Sequence, residues 1–308
     1  MKTKVRIGGD LIGRAVSAGT ILLLGATMNT QAIYNYVTFG VPGANATYAY
    51  GISGNNIVGQ YNTASGVYGF LFNGGSYTTL SVPGATGTFA YDIDDNSIVG
   101  AYDAANGNEY GFLYNTISQT YTTLSVPGAY NTWAAGISGN NIVGACADTN
   151  GAHGFLYNGR SYTTFNVPGT TSTDAWGIDG NNVVGYYYDA AIGNDRGFLY
   201  NGSSYTTLLM PGGRWTYAYD ISGNNIVGYY GGSFLYNTIT QTYTTLSVPG
   251  PGITAAHGID GDNIVGTYYT DSGPYGFLAT TGAVPEPAAL ALLAVGAAAI
   301  FVCRRSHP

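Results

Sequence analysis

The sequence predicts an all-β protein built from six copies of one four-stranded unit, and three observations carry that prediction. The unit, YTTLSVPGA…TYAYGISGNNIVGYY…GFLYNG, recurs six times between Val37 and Leu278. The prolines of its corner fall at Pro42, Pro83, Pro127, Pro168, Pro211 and Pro249, a spacing of roughly 41 residues that marks one supersecondary unit stacked on its neighbours. The composition, 8 % charged with 48 glycines and 29 tyrosines, suits short strands and tight turns.

In the first copy the strands are legible one by one. Thr47–Ser53 alternates in character and runs into a Gly-Asn-Asn turn. Asn56–Tyr61 follows. Tyr68–Phe72 ends at Asn73-Gly74, a hairpin signal. Tyr77–Val82 stops at Pro83-Gly84, because proline cannot donate to a ladder and sets up a turn. Four short strands in about 40 residues match the blade of a β-propeller.

Column by column, the copies show how blades stack. Ala49, Ala90, Ala134, Ala175, Ala218 and Ala256 occupy one column; Gly51, Asp92, Gly136, Gly177, Asp220 and Gly258 lie two residues further on. By strand alternation these share a small face, and the opposite face carries Ile52 and its equivalents beside aromatics such as Tyr50, Tyr91, Trp176 and Tyr219. The expectation is that the bulky face of one blade fills the hollow face of the next. The array also begins with a fourth strand, Tyr36–Val41, and ends on a third, Tyr275–Leu278. The first strand can therefore complete the last blade, which favours a closed six-bladed propeller over the alternative, an open β-solenoid with two raw edges.

Charge excludes some partners. Six of the nine Lys and Arg lie near the termini, so residues 33–283 hold only Arg160, Arg196 and Arg214 against fourteen acidic residues, a net −11. Without clustered cations, nucleic-acid binding is excluded and anionic substrates are disfavoured. The two cysteines, Cys146 and Cys303, make no disulfide framework.

The two ends read as addresses, dividing the chain into 1–32, 33–283 and 284–308. Lys2, Lys4 and Arg6 precede an apolar stretch from about Ala15 to Met28, and Thr30-Gln31-Ala32 offers small residues for cleavage after Ala32. That is the pattern of a secretory signal peptide, its apolar core helical. At the other end Pro285-Glu286-Pro287 is followed by an Ala/Leu-rich run from Ala288 to Cys303 and then Arg304-Arg305. Sixteen apolar residues span roughly 24 Å as a helix, short of a hydrocarbon core of about 30 Å, and the arginines should stay cytoplasmic.

This three-part tail resembles the PEP-CTERM sorting signal. The resemblance implies a transmembrane helix, an inner-membrane intermediate, cleavage by an exosortase as processing partner, and delivery to the cell envelope or extracellular matrix. The wording of the repeats, GI(S/D)GNNIVG, GFLYN and YTTLSVPGA, is similar to the extracellular HAF-type repeat family, although Tyr68-Gly-Phe70, His153-Gly-Phe155 and Arg196-Gly-Phe198 depart from its name-giving tripeptide.

No catalytic constellation stands out. Cys146 replaces a tyrosine in its column and reads as a packed thiol. His153 and His257 occupy unrelated columns and lack ligand spacing. Asp92, Asp94, Asn96 and Asp103 imitate a calcium loop in part, but Ser97 replaces the glycine it needs and sibling copies read as a hairpin turn. Asp94, Asp179 and Asp260 alternate with Ser53, Ser138 and Ser222 before that turn, and both types accept from turn amides. The better candidate is a face. The VPG corners and the loops between second and third strands share one side, bearing Asp103, Glu109, Asp148, Asp189, Asp195 and Asp271, with Trp133 and Trp215 near the corners. Acidic groups beside aromatic platforms suit a sugar or a weakly held Ca²⁺. The expected role is non-enzymatic binding of exopolysaccharide or surface proteins, with a glycosidase or lyase as the alternative.

Overall fold

In a computed structural model, which describes residues 34–281, the repeats form six blades of four antiparallel strands; four are separate sheets, and the first two are joined into one eight-stranded sheet by a single parallel bridge, Val67 to Gly87. The signal peptide and the sorting tail, with Pro285, Glu286, Pro287, Arg304 and Arg305, lie outside the described residues.

Blade one takes Ala46–Ser53, Asn56–Thr63, Gly66–Phe72 and Tyr77–Leu80. Blades two to five repeat this order, their innermost strands being Gly87–Asp94, Asn131–Ser138, Thr173–Asp179 and Tyr217–Ser222. Blade six supplies Ile253–Asp260, Asn263–Thr270 and Gly273–Thr281, and its outer strand comes from the start of the chain, Tyr34–Phe39. That seam is antiparallel, from Tyr34 opposite Thr281 to Phe39 opposite Gly276. The expected closing strand is thus present, beginning two residues earlier than the sequence suggested. Phe39 also stacks on Phe72 of blade one at 5.9 Å, so the seam strand touches both of its neighbours.

Six apolar clusters, one at each interface between blades, close the ring. Val58 of blade one packs with Ala90, Ile93, Ile98 and Phe112 of blade two. The same arrangement joins Val265 of blade six to Ala49, Ile52, Ile57 and Phe70 of blade one. Each buried Val, Ile or Phe of these clusters contributes roughly 1.5–3 kcal/mol, and a blade alone would leave it wet.

The division of faces differs from the sequence expectation. Ala49 and Ile52 lie in the same cluster, as do Ala90 and Ile93. The cause is a bulge in every innermost strand: the register skips Tyr50, Tyr91, Ala135, Trp176, Tyr219 and His257. One extra residue inverts alternation downstream of it. The aromatics therefore leave the blade face and line the central channel, and the Ile column joins the Ala column. The bulge also explains an invariant glycine. A methyl added at Gly144 would overlap the Trp133 carbonyl oxygen, and the other five copies repeat that overlap.

Two hydrogen-bonded columns fix the corners and turns. In each copy a buried threonine hydroxyl accepts from the amide six residues earlier, as in Val126 N–H to Thr132 Oγ1 at 3.1 Å. The alternating Asp and Ser column accepts turn amides, but those of the next blade rather than its own. Gly139 N–H donates to Asp94 at 2.6 Å, Gly223 N–H to Asp179 at 2.7 Å and Gly54 N–H to Asp260 at 2.7 Å. Ser53, Ser138 and Ser222 do the same at 3.0–3.4 Å, so six clasps run around one face.

Candidate ligand-binding site

The bulge positions aim five rings at the axis. Tyr50 meets Tyr91 at 5.7 Å, Tyr91 meets Trp176 at 5.8 Å and Trp176 meets Tyr219 at 5.5 Å, all edge to face. His257 stacks on Tyr219 at 5.1 Å and lies 5.2 Å from Tyr50, completing the circle. Burial lowers the His257 imidazole to about 4, so it packs as a neutral ring, its Nε2 without a hydrogen-bond partner. Beneath this iris Asp92 and Asp220 replace the glycines of blades two and five. Each accepts its own neighbour's amide and one from the next blade, Ile137 or Ile259, all at 2.8 Å. Burial pushes both carboxyls up, against the pull of those amides. These two residues bind blades together and are not free for a ligand.

Blade three breaks the iris. Its bulge residue is Ala135 where its neighbours carry Tyr91 and Trp176, and Ala145 of the adjacent strand is equally small. The missing rings leave a cavity of about 260 Å³ on the corner side of the iris, lined by Tyr91, Trp133, Ala135, Ala145, Asp174, Ala175, Trp176 and Tyr186. Trp176 stacks on Tyr186 at 6.3 Å, whereas Trp133 lies against no other ring among the described residues. Trp133 thus lines the cavity with no aromatic partner among the described residues.

Asp174 is the one charged group in that lining. It is half-buried, and burial followed by the nearby Asp195 carboxylate raises it to about 6. Among the described residues no side chain donates a hydrogen bond to it and no cation pairs with it. Tyr186 is pushed up by burial and then by Asp174, and Tyr91 by burial and then by Glu109 and Asp103. The mouth of the cavity is therefore negative on both flanks.

The residues singled out from sequence divide into two groups. Trp133 lines the cavity, with Glu109, Asp103 and Asp195 around it. Glu109 is held by Asn131, its amide donating to Asn131 Oδ1 at 3.0 Å, and Asp195 accepts the Tyr217 hydroxyl at 3.0 Å. Asp148 and Asp189 instead cap their own hairpins through Asn150 and Ala191 amides at 2.6 and 3.1 Å. The Asn150 amide and then His153 hold Asp148 below the usual carboxylate range. Asp271 is exposed at a loop tip, and Trp215 is not part of the cavity lining.

His153 bridges Asp148 and Asn166 at 3.3 and 3.2 Å. Cys146 is 2 % exposed, and burial with Asp148 and Asp174 nearby raises its thiol to about 11, which leaves it protonated. Asp92, Asp94 and Asp103 belong to a hairpin and its flanks, as the sibling copies suggested. Among the described residues no group of three or more His, Cys, Asp or Glu is placed to hold a metal ion. The residue missed was Asp174. Its column otherwise reads Tyr48, Phe89, Trp133, Tyr217 and Ala255, so a lone acid among rings was the available signal.

Comparison with known proteins identifies the tail: residues 283–306 match the PEP-CTERM protein-sorting motif, which implies export and sorting to the cell surface. No curated protein matches the chain. Solved structures with a similar fold include TolB from Acinetobacter baumannii, at TM-score 0.46 and 13 % identity over 76 % of this chain and 62 % of that one. The β-propeller domain of the Trilobed protease from Pyrococcus furiosus gives 0.48 and 9 % over 79 % and 98 %. The microbial sialidase Hz136 gives 0.47 and 9 % over 77 % and 65 %.

Proposed function

We propose that this protein is an exosortase substrate delivered to the cell envelope or extracellular matrix, where its propeller acts as a non-enzymatic binding module for polysaccharide. The sorting motif supports the destination. The observation that carries the binding role is the cavity on the corner side, lined by Trp133 and three further aromatic side chains. Flat aromatic surfaces suit the apolar faces of sugar rings. Asp148, Asp189, Asp195 and Glu109 of that side are engaged in turn caps or interblade contacts, which favours binding over bond cleavage. The cap residues Asp148 and Asp189 thus belong to the scaffold of the face, with Asp103, Glu109 and Asp195 around the cavity.

Full-length protein purified from the envelope, passed over immobilised neutral, acidic and amino-polysaccharides, tests this reading. Retention on at least one, weakened at least tenfold by Trp133→Ala with the fold intact, is the expected result. Passage through every column, or turnover of any of them, would remove it.

A further inference from the structure

The cavity contains an imbalance that sugar stacking alone does not explain. A carboxylate sits among four aromatic side chains with no donor and no cation among the described residues. A second acid, Asp195, lies close enough to be felt by it, and Asp103 and Glu109 are felt at Tyr91 on the opposite wall. The three arginines of residues 33–283 do not neutralise this mouth: Arg196 pairs at 3.9 Å with Asp189, and neither Arg160 nor Arg214 reaches an acid within ion-pair distance. Aromatic faces add to the field, because their π clouds are negative and attract cations. A neutral ring would gain the stacking surface but leave the charge uncompensated. An anionic one would be repelled.

We infer that the cavity takes the amino sugar of a cationic polysaccharide, its ring against Trp133 and its ammonium group against Asp174. This rests on the polysaccharide reading of the corner face and narrows it to sugars bearing a free amine. Asp174 supplies the selective contact, because an N-acetyl group in place of the ammonium would present a neutral amide to a carboxylate. Trp133 supplies affinity without selecting for charge. The ligand's cation also relieves the repulsion between Asp174 and Asp195, so the free amine is favoured twice over.

The test is titration of the full-length protein with a glucosamine tetramer, an N-acetylglucosamine tetramer and cellotetraose, for wild type, Asp174→Asn and Trp133→Ala. Circular dichroism and melting curves check each variant's fold. Wild type should prefer the glucosamine tetramer by about fivefold, the size of one solvent-screened charge contact. Asp174→Asn should erase that preference, and Trp133→Ala should weaken all binding while keeping it. Added salt should shrink the wild-type preference, which gives a readout independent of any variant. Equal binding of the amine and N-acetyl forms, or a preference retained in Asp174→Asn, overturns this inference and leaves polysaccharide binding standing. Failure of the folded protein to bind any of the three, or an acidic polysaccharide such as alginate, overturns the broader reading instead.

Discussion

At Asp174 the folded chain holds a carboxyl group where its charge is poorly solvated, and the consequence for stability has a definite sign. Its folded value of about 6 lies above the ordinary aspartate value near 3.8. The folded state keeps its proton after the unfolded state has lost it, so this group's contribution to stability is greatest at low pH and falls as pH rises from about 4 to about 6. The loss is on the order of 2 kcal/mol, since one unit is worth about 1.4 kcal/mol and the group is only partly exposed. Asp174→Asn should therefore raise the melting temperature above pH 6 and leave it little changed near pH 4. Parallel melting curves would refute this by tracking each other across the range. The buried threonines make a second residue-scale prediction. Thr132→Val keeps the shape but strands the Val126 amide, costing about 1–3 kcal/mol, whereas Thr132→Ser should keep most of the stability. Urea denaturation that ranks the two alike would show the hydroxyl to be unimportant.

Among the elements, the four strands of each blade were legible because proline, glycine and asparagine punctuate them at a fixed period. The bulge was not. Alternation assigns faces by counting, and nothing in TYAYGIS announces that one residue is to be skipped by its partner strand. The cost of missing it was the channel: the aromatics were assigned to the blade face, and the cavity made by Ala135 could not be foreseen. The Asp and Ser column was read correctly as turn-capping, but sequence gives no means of telling that the turn belongs to the next blade. Trp133 was found because it lies near a VPG corner of the loop face; Asp174 was passed over because the side chains around it come from other strands and blades. The bulge itself yields a test at Gly144. Gly144→Ala drives a methyl into backbone that cannot move without disturbing the pairing, so a loss of about 3 kcal/mol or more is expected. Gly75→Ala, at a turn with open space around it, serves as the control. Equal unfolding midpoints for the two would contradict the geometry.

For the molecule as a whole, the ring depends on a strand from the far end of the sequence. Removing Tyr34–Phe39 exposes the edge of Gly273–Thr281 and strips Tyr36 from Phe277 and Phe39 from Phe72, rings packed at 6.0 and 5.9 Å. The melting temperature should fall by on the order of 10 °C, and an unchanged curve would mean that the seam contributes nothing. Sorting is separable from this. Glu286→Ala should leave the folded ring intact yet hold the chain at the inner membrane, which fractionation of cells would reveal. Normal release of that variant would show that the matched motif is not the recognised feature.

Tyr34 and Thr281 are partners on the same rung, so both ends of the ring depart side by side from one edge of one blade. Tension applied between them would peel that pairing rung by rung, each bond bearing the load alone, instead of shearing all six together. A ring tugged from both ends would open like a zip at its weakest geometry. Cutting the chain just beyond residue 281 would remove one of the two handles, so that tension could no longer be set up across that rung.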